Sequence, residues 1–224
     1  MILKIFKKTD ENLFLVSLTL LSISIWYIFL GTYVIDQPYI WDDLHMIRSY
    51  SSNEIIQSWV GNWDPDGIET PSYRPVAILF YNFLGGVFGE NTFLGRIFIF
   101  LLMSALLFVT LKILREFNFS RLNLLIFLIL LIFSKIFSTL LSWFTLSALL
   151  FCYVLALTSF FYFIKWLRTK KKLFYYLSLF LCFLSIFTRE EMYFLPGFFF
   201  VIFFFEKNFN QQNLKQSIIS LIPF

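Results

Sequence analysis

The chain has 224 residues, 59% of them hydrophobic and 14% charged, with 33 Phe and a formal net charge of +4. That much apolar surface excludes a soluble globular domain of this size, and continuous rather than alternating apolar runs exclude a transmembrane β-barrel. The composition points to an all-α, multi-pass membrane bundle, and its small positive charge does not imply a nucleic-acid partner.

The first apolar run covers about 12–35 and follows Lys4, Lys7 and Lys8. It is too long for a signal-peptide core, and Tyr33-Val34-Ile35-Asp36 is a poor cleavage site. It reads as a retained span. A polar island follows, Asp36 to Pro75. Within it Trp41, Leu44, Ile47 and Tyr50, then Ile55, Ile56, Trp59 and Val60, recur at helical spacing. Ser51-Ser52-Asn53 interrupts the pattern and offers an N-cap. Two short helices on the bilayer surface are predicted, with Trp41, Trp59 and Trp63 as interfacial anchors.

Asp42 and Asp43 stand at the start of the first of these helices. Two readings stay open: capping acids stabilised by a helix N-terminus, or a general base acting on an acceptor hydroxyl. Pro75 suits a first-turn position. Arg74 before it sits where a lipid phosphate would lie, either gripping the phosphate through two hydrogen bonds or snorkelling to headgroups. The apolar segment Val76 to Phe88 is too short to cross a hydrocarbon core of about 30 Å. It is predicted to be a helix along the outer face.

Further spans are predicted at about 92–114, 122–138, 140–165, 173–188 and 192–205, six in all. Residues 217–224 read as the start of a seventh, so the chain reads as truncated at its C-terminus. A tight turn is expected near Lys135–Ser142. Cys152 and Cys182 fall inside apolar runs and read as small core residues. A single His45 leaves no His-rich metal site, so no metal or other cofactor is indicated. Asn118-Phe119-Ser120 fits a glycosylation sequon, but the topology derived next places it in the cytoplasm.

If Val76–Phe88 does not span, the N-terminus and the loops near 112–121, 165–172 and 206–216 share one side. That side then holds thirteen of the 18 Lys and Arg and four of the 14 acids. Basic residues collect in the cytoplasm, so the N-terminus reads as cytoplasmic; the expected location is the plasma membrane. The Asp36–Pro75 loop and Arg189-Glu190-Glu191 then share the outer side.

The order Trp41-Asp42-Asp43, Ser72-Tyr73-Arg74-Pro75-Val76, Phe88-Gly89-Glu90-Asn91, Ser142-Trp143 and Thr188-Arg189-Glu190 resembles the N-terminal half of the GT-C superfamily of polyprenyl-phosphate-sugar-dependent glycosyltransferases. Over roughly residues 1–205 it is most similar to the dolichyl-phosphate-mannose protein mannosyltransferases and their transmembrane relatives with tetratricopeptide tails. The resemblance implies inverting transfer from a lipid-linked sugar donor to an acceptor protein, glycan or lipid. One of Asp42 and Asp43 would be the base, and Arg74 with Arg189 would hold the donor phosphate. Tyr73, Glu190 and Trp143 would complete the substrate site. Most members need no metal; the oligosaccharyltransferase branch does. The chain departs from the pattern in lacking a His and an Asn within Gly95–Ile99, in lacking a His near Met103, and in reading Arg189-Glu190 for a usual Lys-Glu. Relatives also have more spans. Two other functions fit the composition: a transporter with no chemistry, and a scaffold binding lipid-linked sugar. A transporter would carry ionisable residues at mid-bilayer, and the sequence places Arg96 and Lys135 at span ends.

Overall fold

A computed structural model of the protein describes residues 2–31, 34, 38, 42–61, 72–89 and 91–208. Trp41, Trp63, Asp36, Glu90 and the expected seventh span at 217–224 lie outside the described residues. The described residues fold into helices and loops, with no strand among them.

Helix α1, Ile2–Trp26, widens into a π-helical turn, Tyr27–Gly31. Two short helices follow: α2, Asp42–Met46, and α3, Ser52–Val60. Next come α4, Pro75–Phe88; α5, Thr92–Glu116; α6, Arg121–Ile132; and α7, Lys135–Ser142. A 3-10 turn at Phe144–Leu146 leads into α8, Ser147–Thr169. Helix α9, Lys172–Thr188, a 3-10 turn at Glu190–Met192, and α10, Leu195–Asn208, complete the described chain.

Six spans are not supported. Thr92–Glu116 and Phe144–Thr169 are long and apolar enough to cross a membrane. The pair α6 and α7 would make a third if it is one broken span, bent by 59°. The apolar part of α1, Asn12–Trp26, and the whole of α9 are shorter, and α10 has 14 residues. The expected span at 122–138 is broken because the Ser134 hydroxyl accepts the Phe137 N–H and caps a new helix. The expected tight turn at Lys135–Ser142 is therefore a two-turn helix.

Helix–helix packing follows the sequence pattern. On α5, the buried residues Arg96, Ile99, Met103, Leu107 and Leu111 recur every three or four positions, a single buried stripe on a helix that packs on α8 and α1. Helices α8 and α9 pair most extensively. Their seam is small: Ala156, Ser159, Ser178, Cys182 and Ser185 are buried, which lets the backbones approach. The Ser159 hydroxyl donates to the Ser178 carbonyl at 2.7 Å. Cys152 and Cys182 are buried free thiols in this region, as the sequence suggested. Large apolar side chains such as Leu101, Leu130, Phe133, Ile136 and Phe200 point outward, the pattern of a lipid-facing surface.

The bundle has two chemically different ends. At one, Glu116 pairs with both Lys165 and Arg168, and the Arg121 guanidinium lies 4.9 Å from the Phe14 ring. The termini of α5, α6 and α8 and the early part of α1 meet there. At the other end, α2, α3 and α4 pack over the starts of α5 and α8 and the end of α9.

Helix α4 is not a bare surface helix. Val76, Ala77, Ile78, Phe80, Tyr81, Leu84 and Gly85 are buried, because α3 covers one side while α5, α8 and α9 close the other. Phe80 stacks on Phe151 of α8 at 4.6 Å. At Gly85 an added Cβ would sit 2.4 Å from the Arg48 carbonyl carbon. Only glycine permits that approach.

Candidate functional site at the acidic end

The first turn of α2 carries Asp42 and Asp43, as the sequence predicts, but the two carboxylates differ. Asp42 is exposed. Asp43 is fully buried. Its Oδ1 accepts the Thr145 backbone N–H at 2.7 Å and also the Thr145 hydroxyl. Thr145 lies on the 3-10 turn before α8, 102 positions away. Its carbonyl accepts the Tyr81 hydroxyl of α4 at 2.7 Å. Arg96, buried one turn into α5, donates to the Ser142 carbonyl at 2.6 Å and to the Leu141 carbonyl at 3.4 Å. The same guanidinium lies 5.4 Å from the Phe144 ring. Segment 141–145 is thus gripped from α2, α4 and α5 together. Sequence reading missed Thr145 and Tyr81, since neither belongs to a motif, and placed Arg96 at a span end.

The loop after α2 is held as firmly. The Tyr50 N–H donates to Asn82 Oδ1 at 2.8 Å. Ser51 and Glu54 form a reciprocal capping box at the start of α3, the cap expected from sequence. Arg48 pairs with Glu54 at 2.6 Å. The Arg48 bond and the Ser51 N–H hold the Glu54 carboxyl down to about 2.

Tyr73, Arg74 and Pro75 lead into α4, with Pro75 in its first turn as predicted. The Tyr73 hydroxyl donates to the Trp59 carbonyl at 2.7 Å, and both rings pack on Phe187 at the end of α9. Arg74 reaches Glu190: Nε donates to Oε2 at 2.7 Å, and Nη2 pairs with Oε1. Ser72 adds a hydroxyl bond to Oε1 at 3.1 Å. The Arg74 guanidinium is the main cause that holds the Glu190 carboxyl down to about 2. Arg189 forms its own two-point pair with Glu191, at 3.1 and 2.9 Å, and that bond holds Glu191 below the usual carboxylate range.

Of the residues singled out from sequence, Arg74 and Glu190 meet directly, while Tyr73 turns to Trp59 and Phe187. Arg189 is next to Glu190, with its fork turned to Glu191. Trp143 lies between Ser142 and Thr145 on the gripped linker, 40% exposed. An apolar groove of about 340 Å³ opens among Val76, Leu79, Phe80, Phe83, Phe98, Phe151 and Leu184. Among the described residues no three His, Cys, Asp or Glu side chains gather as a metal site would require.

Compared with protein-family models, curated proteins and solved structures, the chain matches none of them.

Proposed function

We propose that this chain is a membrane glycosyltransferase module that moves a sugar from a polyprenyl-phosphate donor to an acceptor hydroxyl at the acidic end of the bundle. In this reading the acidic end faces the extracytoplasmic side and the Glu116–Lys165–Arg168 end faces the cytoplasm, following the excess of basic residues there. Asp42, exposed at a helix start, takes the acceptor proton as its oxygen attacks the anomeric carbon. The bond from that carbon to the phosphate oxygen breaks, its electron pair leaves with the polyprenyl phosphate, and the configuration inverts. Arg74 and Arg189 receive the phosphate by exchanging their carboxylate partners for it. Tyr73, Trp143 and Glu190 border the sugar. The apolar groove lined by Val76, Leu79 and Phe83 on α4 takes the start of the polyprenyl chain.

The observation that carries this reading is the Asp43–Thr145 tie. It brings the acidic pair of the first loop to the end of the bundle that carries Arg74–Glu190 and Arg189–Glu191. The test supplies a radiolabelled polyprenyl-phosphate sugar to membranes containing the chain. Transfer that is lost in Asp42→Asn supports the reading; transfer indifferent to Asp42→Asn and Asp43→Asn removes it.

A second reading, a scaffold that binds lipid-linked sugar without chemistry, is favoured by one observation: both arginine forks are already engaged by carboxylates. Donor binding without transfer in the same assay would select it.

A further inference from the structure

Asp43 cannot be a solvent-facing base while it is fully buried against Thr145, so its carboxylate has another task. The Thr145 N–H and hydroxyl both converge on one oxygen. Charge-assisted bonds of this kind are among the stronger ones in proteins, and a buried carboxylate left without them is costly. The Asp43 carbonyl in turn accepts the Ile47 N–H at 3.0 Å, which closes the single full turn of α2. A five-residue helix is too short to be stable alone. Its geometry is set from outside.

The anchor is itself fixed. Tyr81 holds the Thr145 carbonyl from α4. Arg96 holds the Ser142 carbonyl from α5. Phe144 between them is fully buried. The linker between α7 and α8 therefore has little freedom to move, and the Asp43 carboxylate attaches α2 to it.

We propose that Thr145 and Asp43 are positioning residues: the 141–145 linker holds the first turn of α2 so that the neighbouring Asp42 carboxylate faces the acceptor. This inference rests on the transfer reading for what Asp42 does, and on the geometry alone for what Thr145 does. Thr145→Val keeps the shape and removes the hydroxyl, Thr145→Ser keeps the hydroxyl, and Asp43→Asn removes the charge.

The experiment measures sugar transfer from radiolabelled polyprenyl-phosphate sugar by the full chain in membranes, together with amide exchange of the purified chain in detergent. Thr145→Val is expected to lower kcat about tenfold or more with KM within about twofold. Thr145→Ser is expected to restore it, and Asp43→Asn is expected to lower it less when added to Thr145→Val than when made in the wild type. If Thr145→Val transfers like the wild type while Asp42→Asn does not transfer, the positioning role is overturned and the transfer reading stands. If no form transfers sugar, the transfer reading fails, and the Ile47 amide decides the tie. A loss of about tenfold in its protection in Thr145→Val, regained in Thr145→Ser, upholds the tie, and unchanged protection overturns it.

Discussion

Arg74 and Glu190 stand 116 positions apart and meet through two parallel hydrogen bonds. The pair joins the entry to α4 to the turn after α9. Arg74 is mostly buried, and Glu190 keeps a third of its side-chain surface. The contact therefore couples two loops and stays within reach of water and of a competing anion.

The Glu190 carboxyl is held down to about 2, from an ordinary 4.5, first by Arg74. A depressed carboxylate stabilises the fold above its unfolded-state pKa, and that contribution disappears as pH falls through the folded-state value. The junction should therefore loosen as pH falls from about 4.5 toward 2. Amide exchange around Met192 and Ala77 should rise over that window, and Glu190→Gln should remove this part of the pH dependence.

Gly85 and Gly86 are neighbours on α4 with opposite constraints. A Cβ at Gly85 meets the Arg48 backbone at 2.4–2.6 Å, whereas one at Gly86 meets nothing within 4 Å. Gly85→Ala should destabilise the folded chain by about 1–3 kcal/mol, as overpacking does. Gly86→Ala should be neutral or stabilising by about 0.5–1 kcal/mol, from helix propensity. Unfolding of the two variants in detergent separates them.

The two ends of the bundle should label from opposite sides of the membrane. Ser52 on α3 and Thr169 at the end of α8 are both exposed, and the native Cys152 and Cys182 are buried. An impermeant thiol reagent applied outside should modify Ser52→Cys in intact cells and Thr169→Cys only after permeabilisation. The reverse pattern would invert the orientation.

Much of the acidic end was legible from local sequence. Ser51 as a cap, Pro75 opening a helix and two acids in the first turn of α2 are short-range signals with short-range causes. The break at Phe133-Ser134 was not legible. An unbroken apolar run carries no period that separates one long helix from two, and the deciding bond runs from the Phe137 N–H to a serine hydroxyl. The burial of α4 was missed for a different reason. Its cover is α3, and that docking depends on Gly85 meeting Arg48 and on Asn82 meeting Tyr50. Thr145 was invisible because its importance lies wholly in a contact 102 positions away. The sharing of roles within Asp42-Asp43 depends on which side chain faces the linker, and two adjacent identical residues give no hint of that.

Asp42 is the proposed base of the transfer. The most direct test compares wild type with Asp42→Asn for transfer of a radiolabelled sugar from polyprenyl phosphate, with donor binding measured on the same membranes. Loss of transfer by about a hundredfold or more, with donor binding retained, is the predicted result. Equal transfer by wild type and Asp42→Asn would contradict it.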